Sequence, residues 1–213
     1  MKMIPKLIFQ TSKTPLEAHV KQYICEKLPD WEYEYFDDER ILDYFRANPM
    51  SEFPNLEEKF LSFERGEHRA DLFRYFYLFQ NGGVFLDSDA MIDDGLKEYI
   101  KEDIVLVNSW MNYYNYRYIY NGFIMAEPRN ALIYEALEHC YNTKNKTLQQ
   151  CYHYFCRELY RMIRGYDGEV KFFQEHNCLT CSKVPRNYGG SIIYDGKQVI
   201  GSHFYDLKRI PLK

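Results

Sequence analysis

The stretch "RADLFRYFYLFQNGGVFLDSDA", residues 69–90, decides how this chain is read. From Leu72 to Phe79 every residue except Arg74 is apolar or aromatic, which predicts a helix buried on nearly all sides. Asn81-Gly82-Gly83 ends it, because glycine takes the left-handed conformation at a helix C-cap without penalty. "VFL" then reads as one short central strand, with Asp87-Ser88-Asp89 at its carboxyl end. Ligands of open α/β sheets bind at that end. Two carboxylates one residue apart repel each other unless a cation shares them. Hard oxygen donors beside Ser88 suit Mg²⁺ or Mn²⁺ bridging to phosphate oxygens, whereas D-x-D alone also describes a solvated turn. Asp71 and Arg74 stand three apart on one helical face with Glu67. They form either an intrahelical ion pair or a polar face turned into a cavity, where an unpaired charge would be costly. A sugar suits such a pair, because its hydroxyls both donate and accept.

Outward from this stretch, strand and helix signals alternate, as in an α/β layer fold. Ile4–Phe9 reads as a first strand, Glu17–Lys27 as a helix and Trp31–Phe36 as a half-buried strand. Helices follow at "DDERILDYFRAN" and "FPNLEEKFLSF". Beyond the central stretch come strands at Asp103–Trp110 and "NGFIMAEP", the helix "RNALIYEALEHCY", and a long amphipathic helix over Leu148–Ile163. "SIIYDGKQVI" is a hairpin with an Asp-Gly turn. No repeat, low-complexity linker or domain boundary interrupts the 213 residues, so one domain is expected.

The totals exclude several classes. A net charge of −4 gives little attraction to nucleic acid. No apolar run is long enough to span a bilayer, and "MKMIPKLIFQTSK" is broken by Pro5 and Lys6, so it does not read as a signal peptide. The six cysteines are therefore read as reduced thiols in a cytoplasmic protein. Cys178 and Cys181 form a lone C-x-x-C, and a zinc site would want a second pair. The 21 Tyr and 15 Phe exceed what a core needs, which points to surfaces that stack on a ligand. "WMNYYNYRYIYN" is then either an acceptor platform or a Tyr-rich loop packed on the sheet; Trp110, Tyr113, Tyr114, Tyr116 and Asn121 are its candidate residues.

The central stretch resembles the signature of the retaining glycosyltransferases of family 32, the D-x-D sugar-binding-region group. It is also similar to the same segment in the glucosylating domains of clostridial toxins. Asp71, Arg74, Gly82-Gly83, Phe85 and Asp87–Asp89 fill the pattern. "IPKLIFQTS" and "NGFIMAEPRNALIYEAL" are similar to the group's opening strand and to its later Asn-led strand and helix, so the likeness covers about two thirds of the chain. Phe9-Gln10-Thr11 stands where many relatives have His and Trp. Abundant Tyr, modest size and no signal are shared with glycosyltransferases of large algal viruses, which makes a virus-encoded domain one expected source.

The resemblance implies a single GT-A-type α/β domain over residues 1–213. Its central mixed, mostly parallel sheet would be flanked by helices, with a Rossmann-like donor half over about 1–110 and an acceptor half over about 111–213. It implies transfer of a hexose, with UDP-glucose the first choice, to a glycan or glycoprotein with retention and with Mn²⁺ or Mg²⁺. Asp87 and Asp89 would hold the cation, and His203 in "GSHFYD" would be a third ligand. Asp71 and Arg74 would hold the donor sugar; Phe9, Gln10, Thr11, Gly83, Phe85 and Ser88 would complete the donor site. Asp89, Asp87 and Arg74 would carry the chemistry. Lys208 and Arg209 are candidates to neutralise the leaving diphosphate, or are solvated tail charges. Two other readings stand beside this one: a haloacid-dehalogenase-like phosphatase with Asp87 as nucleophile, and a non-catalytic nucleotide-sugar or carbohydrate-binding domain.

Overall fold

The computed structural model describes residues 3–16, 18–177, 179–182 and 190–204. Among these residues nine strands form one mixed sheet in the order β2-β1-β3-β6-β5-β7-β8-β9-β4. They are β1 Leu7–Thr11, β2 Glu32–Phe36, β3 Gly83–Leu86, β4 Ala90–Ile92, β5 Ile104–Asn108, β6 Ile119–Ala126, β7 Val170–Asn177, β8 Ser191–Tyr194 and β9 Val199–His203. The helices are α1 Ala18–Lys27, α2 Asp38–Ala47, α3 Leu56–Ser62, α4 Gly66–Asn81, α5 Ala131–Asn142, α6 Asn145–Gln149 and α7 Tyr154–Met162.

Strand alternation divides the core in two. Phe9, Phe85, Leu106 and Ile124 face a layer containing α2 to α5 and α7. Ile8, Val84, Val105 and Phe123 face the opposite layer, which includes α1. Helix α4 lies against the sheet with Asp71 through Phe79 all buried, so it shows no polar stripe. It stops because Gly82 takes φ 68° and returns its N–H to the Leu78 carbonyl at 2.8 Å. Gly83 follows at φ 99°, and a Cβ there would lie 2.7 Å from the Leu7 carbonyl oxygen. Both glycines let α4 feed directly into β3 in parallel register with β1, Ile8 opposite Val84.

Three of the expectations need correction. Among the described strands only three of the eight pairings are parallel: β1 with β2, β1 with β3, and β5 with β7. The sheet is mixed and flanked by helices as expected, but its parallel part is confined, because β6 enters antiparallel between β3 and β5 and the far edge is built from β8, β9 and β4. Strands β4 and β7 were not anticipated. The helix expected over Leu148–Ile163 is two helices, and the turn between them carries Cys151, Tyr152 and His153. The Asp195-Gly196 hairpin joins β8 to β9 as read. Cys25, Cys140, Cys151, Cys156 and Cys181 are free thiols; Cys178, Lys208 and Arg209 lie outside the described residues. Among the described residues no helix is long and apolar enough to cross a membrane.

The Gly83 geometry makes a stability prediction. Gly83→Ala forces a β-carbon against β1 at a positive φ and should cost about 1–3 kcal/mol. Urea denaturation reads it directly, and an unchanged midpoint would show that β1 and β3 can separate to admit a side chain.

Candidate active site

Strand β3 delivers Asp87 to the floor of a cleft. The Asp87 N–H donates to the Gly122 carbonyl at 2.8 Å, and its own carbonyl accepts from Ala90 at 3.0 Å and from the Gln10 side chain at 2.9 Å. Asp87-Ser88-Asp89 is therefore a tight turn fixed at both ends. Strand β4 then pairs with β9, Ala90 opposite His203, and the Phe204 N–H donates to the Asp89 carbonyl at 3.0 Å. That pairing brings His203 Nε2 to 3.5 Å from Asp89 Oδ1. One donor atom from each of Asp87, Asp89 and His203 lies within 4.8 Å of the others. Gly122 has a steric role beneath them, since a Cβ there would meet both Asp87 Oδ2 and the Tyr120 hydroxyl at 2.2 Å.

Arg74 lies beside this group, 4% exposed. Its guanidinium is 3.2 Å from Asp71, 3.6 Å from Asp87, and stacked 3.9 Å from the Phe85 ring centre. It also donates to the Asn121 carbonyl. The Asn121 amide donates to Asp71 at 3.1 Å and to the Tyr75 hydroxyl at 2.8 Å. Arg74 Nε and Asn121 Oδ1 have no hydrogen-bond partner among the described residues, so the floor retains polar capacity. The cleft above measures about 760 Å³ and is lined by Thr11, Asp71, Asp87, Trp110, Tyr152 and His203 among others. That size suits a substrate of some hundreds of daltons.

Residues 16–117 match the family described as glycosyltransferase sugar-binding region containing DXD motif. Over that segment the chain is similar to the D-x-D glycosyltransferases. The chain is 36% identical over 91 residues to inositol phosphoceramide mannosyltransferase 3 of Schizosaccharomyces pombe, covering 41% of this chain and 24% of the relative. It is 34% identical over 97 residues to a mannosyl phosphorylinositol ceramide synthase of Saccharomyces cerevisiae, covering 44% and 23%. Against the initiation-specific alpha-1,6-mannosyltransferase of S. pombe it is 27% identical over 154 residues, covering 62% and 38%. It thus spans about a quarter of the length of the first two relatives. The solved structure titled PaToxG Glycosyltransferase superposes with a TM-score of 0.52 at 14% identity, over 77% of this chain and 70% of that one, which establishes the GT-A-type fold.

Several residues expected at the donor do not reach the cleft. Phe9 is fully buried among Phe36, Phe73, Tyr77 and Phe85, because β1 alternation turns it toward α4. Gln10 is equally buried and holds the Asp87 carbonyl, with the Tyr33 hydroxyl donating to its amide oxygen at 2.8 Å. Gly83 and Phe85 lie behind the site. Thr11, Asp71, Arg74, Asp87, Ser88 and Asp89 do line it. Trp110 is at the wall, whereas Tyr113, Tyr114 and Tyr116 are roughly half-exposed outside it. Asn121 is buried on the Asp71–Arg74 pair, away from those tyrosines. Glu175 and Gly122 were missed, and Tyr120 was not singled out within its Tyr-rich stretch: a lone Glu in a strand, a Gly in a motif and a Tyr among many carry no sequence signal for a site.

The charges fit a divalent cation. Burial raises the Asp87 pKa; Arg74 opposes that, and Asp89 adds to it by like-charge repulsion. Burial likewise raises Asp71, with Arg74 opposing. For His203 burial alone would lower the pKa, but bonds to Asp89 and Glu175 outweigh it and raise the value from 6.5 to about 10. A proton on His203 thus offsets carboxylate charge that a cation would otherwise neutralise, and the three side chains are a donor set that could hold a metal ion.

The raised His203 value fixes a sign. Without metal, the folded protein binds more protons than the unfolded chain between pH 6.5 and about 10, so the His203 contribution is complete below 6.5 and lost as pH rises through 10. In EDTA, the melting-temperature advantage of wild type over His203→Gln should be largest near pH 6 and shrink steadily toward pH 10. A difference that does not vary with pH would show that His203 is not held between the two carboxylates.

Proposed function

We propose that this chain is the catalytic region of a metal-dependent glycosyltransferase that moves a hexose from a nucleoside-diphosphate sugar to a sugar hydroxyl. The observation that carries the reading is the convergence of Asp87, Asp89 and His203 in one cleft beside the buried Asp71–Arg74 pair. Those three residues would hold the cation, which when bound supplies Lewis-acid neutralisation of diphosphate charge. Asp71, Arg74 and the Asn121 amide group would orient the donor sugar. UDP-glucose is the donor the resemblance implies first, and similarity to proteins named mannosyltransferases supports a mannose donor such as GDP-mannose beside it.

Retention of configuration belongs to the same proposal. Asp71 is held by Arg74 and Asn121, and Asp87 and Asp89 would be committed to the cation, so none of them is free to act as a carbon nucleophile. A front-face route fits: the bond from the anomeric carbon to the phosphate oxygen breaks, the acceptor oxygen bonds to that carbon on the same face, and the acceptor proton passes to the departing phosphate oxygen. Tyr118, Tyr152 and His153 line the cleft and support a glycan acceptor. The His153 ring is 5.5 Å from that of Tyr118, and burial lowers its pKa, so this wall is uncharged near neutrality. Rings of that kind suit the faces of sugars. The similarity to glycosyltransferases favours a transferase over the phosphatase alternative, and turnover separates a transferase from a binding domain. The free thiols support the cytoplasmic location we propose.

The test is donor hydrolysis and transfer, measured with UDP-glucose and GDP-mannose in Mn²⁺. Asp89→Asn should lower both activities by more than about 100-fold while keeping the fold. Tyr118→Ala with Tyr152→Ala should slow transfer to a glycoside about tenfold or more and leave hydrolysis unchanged. Full activity in EDTA would overturn the metal-dependent reading, and equal loss of both activities in the tyrosine variant would move that wall to the donor.

A further inference from the structure

Glu175 is a carboxylate at 2% exposure on β7, a strand that the sequence reading left unassigned. Burying such a group is costly unless its oxygens are satisfied. Here the Ser191 hydroxyl donates at 2.6 Å, the Ser109 hydroxyl at 3.2 Å and the Trp110 N–H at 3.2 Å. These donors are neutral. The ionisable neighbour is His203, whose Nδ1 lies 3.6 Å from Glu175 Oε1. Sheet pairing enforces the approach, since Ser191 on β8 lies directly opposite His203 on β9. The other ring nitrogen faces Asp89, and the Tyr120 ring covers the imidazole at 4.8 Å, which restricts its rotation. Glu175 itself is not part of the group whose donor atoms converge within 4.8 Å.

We propose that Glu175 is the positioning residue of the metal site: it retains the proton on His203 Nδ1 and so presents the Nε2 lone pair to the cation. The inference rests on the metal-dependent reading above. A histidine ligand is held in one tautomer by what its second nitrogen donates to, and a carboxylate in that place also makes the ligand a stronger base. An apolar residue would fill the volume at less cost, which argues that the charge is retained for its effect on His203. The same carboxylate anchors Ser109 and Trp110, so the metal ligand and one cleft wall share a single support.

The experiment compares wild type with Glu175→Gln, titrating Mn²⁺ by the electron paramagnetic resonance of the free ion and recording melting in EDTA. The Gln oxygen can still accept from Trp110, but its amide group cannot reproduce the carboxylate toward Nδ1. Mn²⁺ affinity should fall about 10–100-fold, and donor hydrolysis should recover at high Mn²⁺. A merely structural role would lower the melting temperature and leave the affinity of the folded protein unchanged, which would overturn the proposal. Should Glu175→Gln fail to fold, Glu175→Asp keeps the charge but withdraws it by one methylene, and unchanged Mn²⁺ affinity there would overturn it equally. Wild type that binds no Mn²⁺ would overturn the metal-dependent reading and this inference with it, whereas binding in wild type with no loss in the variants rejects this inference alone.

Discussion

Arg74 is a permanent positive charge at 4% exposure, set in a helix that is otherwise apolar along the same run. It can occupy that position because three oxygens face it, from Asp71, Asp87 and the Asn121 carbonyl, with the Phe85 ring against its plane. Deprived of those partners, such a group would cost several kcal/mol to bury. The arrangement joins three elements: α4 supplies Arg74 and Asp71, β3 leads to Asp87, and β6 supplies Asn121. The floor of the cleft therefore has one geometry, and the fold must deliver these segments together for the charges to be satisfied.

Around His203 the charge is of the opposite sign. Asp89 and Glu175 flank His203, and Asp87 stands beside Asp89, so one guanidinium does not balance the site. A proton on His203 offsets part of this excess, and a divalent cation coupled to a diphosphate would offset it more fully. In the function proposed, binding of metal, release of that proton and binding of donor would be linked through the same small set of oxygens. The sheet edge is what makes this coupling local: β4 is only three residues long, yet its pairing with β9 carries His203 some 110 residues along the chain to the D-x-D turn.

What could be read from sequence followed from short-range rules. The apolar run around Arg74, the glycine pair that stops α4 and the Asp-Gly hairpin are set by neighbours within a few residues, and each appears as expected. Phe9 and Phe85 were misplaced because a motif match does not say which face of a strand a side chain takes; alternation turns both toward α4. Asn121 was grouped with the nearby tyrosines, whereas strand β6 sends it to the opposite environment, onto Asp71. Glu175 depends on contacts with residues 66, 65, 16 and 28 positions away, for Ser109, Trp110, Ser191 and His203, and no local pattern encodes those.

In the function proposed, Asp87, Asp89 and His203 form the site of a divalent cation. Diffraction from crystals soaked in MnCl₂, recorded for the anomalous signal of manganese, tests it without reference to any substrate. The strongest anomalous peak should lie between the two aspartates and His203 and be lost in Asp89→Asn crystals. A cleft without a peak at saturating Mn²⁺, or a peak that survives the substitution, would contradict it.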